Sequence, residues 1–381
     1  MEHTFNPIPY NSPIYDNSVI SVDRAITDLR KGRCVVLKSK NCVPILFLAA
    51  ETVTKASINM LQGFSGSTPL LGLSPSQVKS LKHANGNNDV LVLKFDTLIS
   101  QKDLKLFTES PSEEITKYKN FQVIPLDNDI CVKAGLKLAK LGALLPVGCF
   151  AFPELVKEAE IEGWRTMQNL LAVEASDIFN YKNTVSNSLQ KVSEARVPLK
   201  NAEDCSVSMF RPLDGSPEHI AVAIGKIDIE KPVLTRIHSE CFTGDLLRSL
   251  RCDCGDQLHG AIKEISEFGS GILLYLRQEG RGIGLANKLR SYEIQDRGAD
   301  TFDANEEIGF EADERTYLPA AKILQSFKIK QIRLMTNNPD KIKALKHFNF
   351  NIVERVPHSF RSNKHNETYL KAKKNKGHLL E

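Results

Sequence analysis

The chain is predicted to fold as an α/β to α+β protein of two domains, each a mixed sheet with packed helices, and three observations predict it. Its 381 residues, 41% hydrophobic and 25% charged, exceed one typical domain and carry enough apolar material for two ordinary cores. Short apolar runs of strand length alternate with stretches of helical period in both halves. Between the halves, residues 183–200 are polar, carry few large apolar side chains and end in Arg196-Val-Pro-Leu-Lys200, the composition of a linker.

In the first half, residues 22–31 read as a helix, 34–37 as a strand, 51–61 as a helix and 89–95 as a strand, with further helices at 131–141 and 153–161. The second half reads differently. Residues 219–229 and 233–238 are strand-like, 257–268 is a helix, and 271–276 is a buried strand running into a glycine-rich loop. Helices follow at 284–296 and 317–327, then a strand at 331–336 and a helix from Pro339.

Composition narrows the function classes. The formal net charge of +4 is small for this length, and the only basic run is the tail 371–376, read as a solvated terminus, so nothing in the charge pattern argues for nucleic acid. Residues 1–20 lack a charged segment followed by an apolar one, and no apolar run reaches the roughly 18 residues of a membrane span, which predicts a soluble, cytoplasmic protein. Eight cysteines do not make a disulfide scaffold at this size; clustering at 241, 252 and 254 fits metal binding in a reducing compartment.

The spacing of Cys241, Cys252 and Cys254 is C-x10-C-x-C. Three thiolates satisfy tetrahedral zinc except at one corner, and an open corner is what distinguishes a water-activating zinc from a closed structural one. The C-x2-C pairs of zinc fingers are absent, which favours the open site. His238 and His259 stand nearby as alternative ligands, but a histidine so placed is more often a hydrogen-bonding or surface group, and both are left out of the metal shell.

Strand 271–276 feeds Arg277-Gln-Glu-Gly-Arg-Gly-Ile-Gly284 and then a helix, a geometry that offers backbone N–H groups and a positive helix end to an anion. Arg281 adds a bidentate phosphate donor. The glycines do not reproduce G-x-G-x-x-G, so no dinucleotide fingerprint is met, and the loop alone is equally compatible with an ordinary turn. Thr336-Asn-Asn-Pro339 repeats the arrangement after another strand, with Pro339 suited to a first helical turn and Lys341 close enough to reach an anion; its bland alternative is a capped turn.

Five segments together resemble GTP cyclohydrolase II, which opens the imidazole ring of GTP at the start of riboflavin biosynthesis. They are Arg236-Ile-His-Ser-Glu-Cys241, Leu250-Arg-Cys-Asp-Cys-Gly255, Arg277-Gln-Glu-Gly-Arg281, Gly309-Phe-Glu-Ala-Asp-Glu-Arg315 and Leu334-Met-Thr-Asn-Asn-Pro339, and the resemblance covers residues 195–381. It implies that Cys241, Cys252 and Cys254 hold one zinc per chain, and that water activated there attacks C8 of guanine, which leaves as formate. It implies Asp313 as proton acceptor, Arg315 as the group that takes the nucleotidyl moiety while pyrophosphate leaves, and Tyr292 as a further active-site residue. A guanidinium is protonated far above neutral pH, so Arg315 as a stabiliser of phosphate charge stays open beside that role. Arg236, Ile237, His238, Ser239, Glu240, Gln257, Glu279, Gly280, Arg281, Thr301, Thr336 and Lys341 match the family's GTP-contacting positions, with Gln257 suited to the guanine edge. Magnesium on the triphosphate, a diaminopyrimidinone ribosyl phosphate as product, and a homodimer are implied likewise.

Residues 18–190 resemble a decayed 3,4-dihydroxy-2-butanone-4-phosphate synthase, the lyase that precedes this cyclohydrolase in many bacterial fusions. Val22-Asp-Arg-Ala-Ile-Thr-Asp-Leu-Arg-Lys-Gly-Arg-Cys34 and Ala49-Ala-Glu-Thr-Val-Thr54 are similar to its first helices. Its acidic run is replaced by Lys38-Ser-Lys-Asn-Cys-Val-Pro-Ile-Leu46, its His- and Glu-bearing motif by Asn128-Asp-Ile-Cys131, and its later acidic stretch by Val147-Gly-Cys-Phe-Ala-Phe152. A magnesium-dependent enolisation needs oxygen ligands and a base, so loss of lyase activity is expected. Three classes remain to be weighed: a zinc hydrolase acting on GTP, a nucleotide-binding regulator without turnover, and a nucleic-acid-binding zinc protein supported only by the tail. The intact cysteine set with Asp313 and Arg315 favours the first.

Overall fold

A computed structural model describes residues 17–381 apart from 41, 67, 81–89, 98, 110–114, 116–120, 127–129, 376, 378 and 380–381. The expected two mixed sheets with packed helices are present, each of seven strands. The first contains β1 (Val35–Lys38), β2 (Ile45–Ala49), β3 (Leu70–Leu73), β4 (Leu91–Phe95), β5 (Phe121–Ile124), β6 (Val147–Ala151) and β7 (Leu171–Glu174). Its order is β5-β4-β3-β6-β2-β1-β7, antiparallel except for the β1–β7 pair at one edge.

Period-2 alternation divides its side chains between two faces. Val36, Leu46 and Leu48 meet Leu61 and Phe64 of helix Lys55–Ser65, while Val35, Leu37, Ile45 and Phe47 meet helices Asn17–Arg30, Ile130–Leu141 and Ala175–Asn187. Phe47 is fully buried because Gly135 and Gly148 leave room for its ring; a Cβ at those positions would lie 2.4 and 2.1 Å from ring carbons.

The second sheet contains β8 (Gln190–Arg196), β9 (Cys205–Arg211), β10 (His219–Ile224), β11 (Val233–Ser239), β12 (Gly271–Leu276), β13 (Gln331–Met335) and β14 (Asn351–Val356). The order is β14-β13-β11-β12-β10-β9-β8. Strands β11 to β14 pair in parallel and β8, β9, β10 and β12 antiparallel, so β12 stands where the sheet changes sense. Helix Cys254–Phe268 covers one face through Ala261 and Ile265, and helix Leu318–Ser326 covers the other through Ala320, Ala321, Ile323 and Leu324.

Three expectations fail, each for a physical reason. Residues 183–200 are no linker: they finish helix Ala175–Asn187 and form β8, which starts the second sheet at Gln190. All seven β8 residues are exposed, so an edge strand with one partner carries no apolar pattern to read. Residues 153–161 are largely irregular, and a helix runs instead over Ile161–Met167. The helix expected at 51–61 is a single 3₁₀ turn and then Lys55–Ser65, because Thr54 and Ser57 form a reciprocal cap that starts the helix there. Of the replaced lyase motif, Asn128 and Asp129 lie outside the described residues.

The two domains meet at a polar and apolar seam. Leu145 joins Ile283, Ile308 and Phe310 in one buried cluster. Around it Arg290 pairs with Glu51 at 2.7 Å, Asn287 Nδ2 donates to the Ala143 carbonyl at 2.8 Å, and Ser74 Oγ donates to the Gly309 carbonyl at 2.8 Å.

Candidate active site

The parallel strands β11, β12 and β13 all end at one cleft that opens to solvent. Ligand sites in such sheets lie outside the carboxyl ends of parallel strands, because there the loops diverge and helix N-termini point inward. Arg236 to Ser239 form the last part of β11 and Glu240 follows it, Glu279 to Arg281 follow β12, and Thr336 to Lys341 follow β13.

On one side the three cysteine sulfurs lie within 4.8 Å of one another, with Cys241 Sγ 3.7 Å from Cys252 Sγ. Tetrahedral Zn–S bonds of about 2.3 Å require sulfurs about 3.8 Å apart, so the spacing fits zinc. Gly244 forms the floor, and its amide donates to Cys241 Sγ at 3.4 Å. A Cβ there would sit 2.7 Å from Cys252 Sγ and 3.0 Å from Cys241 Sγ. Hydrogen bonds from Cys252 and Cys254, then the charge of Lys288, hold the Cys241 thiol far below its ordinary pKa; Cys252 is pushed up to about 11, first by its bond to Cys241. Lys288 Nζ lies 3.0 Å from Cys241 Sγ and 2.9 Å from Glu279 Oε1. Although burial opposes its charge, the Cys241 thiolate raises the Lys288 pKa.

Asp245 organises the neighbouring turn. Its carboxylate accepts the Cys241 amide at 2.9 Å and the Tyr275 hydroxyl at 2.9 Å, and it faces His238 Nε2 at 3.1 Å. His238 is thereby committed to Asp245, and burial lowers its pKa; His259 Nε2 faces Arg248 at 3.1 Å, and neither histidine belongs to the cysteine group.

The far side is basic. Arg236 is buried, donates to the Met335 carbonyl at 2.8 Å and to Gln257 Oε1 at 2.6 Å, and burial lowers its pKa to about 10. Gln257 Nε2 in turn donates to Asp253, so the amide is held in one orientation. Lys341 Nζ donates to the Ile237 carbonyl at 2.7 Å. Arg281 has φ of 60°, a left-handed conformation that a non-glycine residue rarely takes, and Gly280 has φ of 61°. Arg315 lies against Asp313 through Nε at 2.8 Å and through Nη2. Burial pushes the Asp313 carboxyl up, but these bonds outweigh it and hold it low; burial opposes the Arg315 charge, and Tyr317 and Asp313 raise its pKa nonetheless. Tyr292 packs under Arg251 at 4.5 Å, and burial raises its phenol.

Of the residues expected at the site, Arg236, His238, Ser239, Glu240, Gln257, Glu279, Gly280, Arg281, Tyr292, Arg315, Thr336, Lys341 and the three cysteines line this cleft. Ile237 does not: β11 alternation turns its side chain into the core, and only its carbonyl reaches Lys341. Asp313 stands behind Arg315 rather than on the wall. Thr301 begins helix Thr301–Glu307, and its side chain lies outside the described residues. Sequence reasoning missed Lys288, Asp245 and Asp253; the one available signal was that Lys288 falls one helical turn after Gly284, on the helix that the glycine loop starts. Among the described residues, the buried side-chain nitrogens and oxygens without a partner are Arg236 Nε, His238 Nδ1, Ser239 Oγ and the Tyr317 hydroxyl, all in this region. Such atoms cost free energy unless something satisfies them, which is what a polar ligand does.

Fold and site together define a mixed-sheet protein with a candidate three-cysteine metal site beside a basic cleft. The profile of the family described as GTP cyclohydrolase II matches residues 190–357. The chain is 42% identical over 372 residues to GTP cyclohydrolase-2 of Azospirillum brasilense, covering 97% of this chain and 96% of that one. Over 172 residues it is 55% identical to GTP cyclohydrolase-2 of Shewanella baltica, covering 45% of this chain and 84% of that one. The chain belongs to the GTP cyclohydrolase II family. Among solved structures it is similar to a two-domain 3,4-dihydroxy-2-butanone 4-phosphate synthase from A. baumannii, with 16% identity, 89% of this chain and 99% of that chain covered and a TM-score of 0.35, a likeness too loose to bear on function or fold. Among the described residues no helix is long and apolar enough to cross a membrane.

Proposed function

We propose that the protein is a zinc-dependent GTP cyclohydrolase II, converting GTP to a diaminopyrimidinone ribosyl phosphate with release of formate and pyrophosphate. The observation that carries this reading is the cysteine cradle of Cys241, Cys252 and Cys254, closed beneath by Gly244, in the same cleft as Arg281, Arg315 and Lys341. Zinc held by the three thiolates would supply an acidified water as nucleophile. Lys288 would neutralise part of the thiolate charge. Gln257, fixed by Arg236 and Asp253, keeps a second N–H and a second lone pair for a guanine edge.

Arg315 acts in this reading as a phosphate charge stabiliser, since its raised pKa leaves no neutral guanidine to attack. Phosphate oxygens arriving at Arg315 would compete with Asp313 for the same fork and leave Asp313 able to accept a proton. Magnesium would accompany the triphosphate. A reducing cytoplasmic setting fits the eight unpaired cysteines, and the strip of exposed Phe242, Leu246, Leu247 and Leu250 offers a homodimer an apolar surface; sedimentation of the pure protein as a monomer would remove the dimer.

The first domain is proposed to lack lyase activity, because the segment 38–46 carries no carboxylate. Conversion of ribulose 5-phosphate to the butanone phosphate above a blank would sink that part. The cyclohydrolase itself is tested by formate and pyrophosphate release from GTP and magnesium by zinc-loaded protein, beside Cys254→Ser. Release of both, abolished in the variant, supports the reading. Pyrophosphate without formate points to a phosphate site with failed ring opening, and neither product despite bound zinc and GTP points to a nucleotide-binding regulator.

A further inference from the structure

We propose that the first domain is a positioning device for the cyclohydrolase site, acting through a half-buried lysine clamp on Glu314. The inference rests on the proposed cyclohydrolase reading and adds to it a role for Glu314, Lys140 and Lys182. Glu314 stands between Asp313 and Arg315 in the chain, and its side chain leaves the cleft for the domain seam. Lys140 Nζ, from the first domain, donates to Glu314 Oε1 at 2.6 Å, with Lys137 Nζ 3.9 Å from Oε2. Lys182 Nζ, also from the first domain, donates to the Glu314 carbonyl at 2.8 Å. The remaining polar group, the Glu314 amide, donates to the Arg281 carbonyl at 3.0 Å. One residue thus ties three things together: the first domain, the strap that carries Asp313 and Arg315, and the glycine loop that carries Arg281.

The supports are stiff. Lys140 lies on helix Ile130–Leu141, which buries Leu136, Leu138 and Ala139 in the first core, and Lys182 lies on helix Ala175–Asn187, which buries Ile178 and Tyr181 there. The near end of the strap is pinned too, since Gly309 has φ of 88°, a Cβ there would meet Pro146 at 2.7 Å, and its carbonyl accepts from Ser74. At its other end Gly282 packs on the strap so closely that a Cβ would lie 3.0 Å from the Glu314 carbonyl.

Adhesion alone does not call for this chemistry. The ion-paired side chains are 13% and 8% exposed, and burying charges costs more than an apolar contact such as the neighbouring Leu145–Phe310 cluster. Desolvation is felt at Lys182, whose pKa burial lowers to about 8. What charge pairs give that apolar contacts do not is register, here of Arg315 relative to Arg281. Loss of a fraction of an ångström in such register is costly to a reaction that depends on alignment.

The test uses full-length, zinc-loaded Lys140→Met, Glu314→Gln and Lys182→Met beside wild type, with formate release from GTP as the assay. Expected is a kcat lowered about tenfold in the first two variants, with the GTP KM moved less than about twofold and zinc content unchanged. Lys140→Arg, which keeps the cation, is expected to recover at least about half of the wild-type kcat. A kcat within about twofold of wild type in both Lys140→Met and Glu314→Gln overturns the proposal, as does a Lys140→Arg variant no better than Lys140→Met. Hydrogen exchange gives an arm that needs no turnover: amides of 311–316 are expected to exchange about tenfold faster in Lys140→Met and Lys182→Met, and unchanged protection in both overturns the proposal. Absence of formate from wild type sinks the proposed function instead, and leaves the exchange arm to decide this one.

Discussion

Both halves of the molecule are seven-stranded sheets, yet they bury different things. Among the described residues up to 189, the buried polar side chains are Ser57, Ser65, Ser74, Ser76, Gln77 and Ser186, none of them charged. Beyond 189 the buried set includes Arg236, His238, Asp253, Lys341 and His358, and, among the described residues, every unpartnered buried side-chain nitrogen and oxygen. A core selected only for stability avoids such groups, since each costs its desolvation. The second sheet tolerates them where its parallel strands end, which is where a polar ligand would repay them. On the proposed reading the first sheet is a support and the second a site.

The sharpest way to break this contrast is to remove one metal ligand. Cys254→Ser is expected to lose zinc and all formate release above blank while keeping the far-ultraviolet circular dichroism of the wild type, because Ser keeps the helix start but not the thiolate. Gly244→Ala should do nearly as much, since its methyl would stand 2.7 Å from Cys252 Sγ. Zinc retained at one per chain in Gly244→Ala would mean that the cradle is not closed by Gly244.

A truncation in the support should show the opposite signature. Phe47→Ala removes a fully buried ring from between Gly135 and Gly148 and is expected to cost about 3–5 kcal/mol of stability, read by urea unfolding. Zinc content per folded chain should not change. If Phe47→Ala protein that remains folded lost zinc, the two halves would not be separable in this way.

Next in size is Lys288→Met. Partners that tune a ligand set typically contribute about 10–100-fold in metal affinity, and the Lys288 cation is 3.0 Å from Cys241 Sγ. Weaker zinc retention against a chelator is expected in that range, without loss of the fold. Equal retention in Lys288→Met and wild type would reduce the lysine to a partner of Glu279.

Legibility in the sequence follows the same division. Strand Gly271–Leu276 falls where its apolar run predicts it, because a strand buried on both faces is a continuous apolar signal bounded by polar residues. The cysteines were legible from spacing alone, since ligand geometry leaves few alternatives to C-x-C after a short gap. β8 was not, because all of it faces solvent. The inward side chain of Ile237 was not legible either, because a motif match carries no information about which face of β11 a residue occupies. The Glu314 contacts were out of reach for a further reason: Lys140 is 174 residues away in the chain, and no local pattern announces a partner at that distance.

The smallest effect concerns acid. Among the described residues, buried histidines occur only in the second half: His219, His238 and His358. His358 Nε2 lies 2.8 Å from the Gln257 carbonyl, and burial, followed by the charge of Arg236, lowers its pKa from 6.5 to about 4. An unfolded chain therefore takes up a proton at this residue as pH falls below 6.5, while the folded chain does not until about 4. Over that window the unfolded state binds more protons, so stability falls with falling pH. His358→Gln, which keeps a polar side chain at the position, should flatten this part of the acid limb in melting curves taken between about pH 7 and 5. His219, lowered to about 4 by burial as well, leaves a residual slope in the same window. Parallel curves for variant and wild type would show that the neutral imidazole of His358 is not what makes the second half sensitive to acid, and would move that role to His219 and His238.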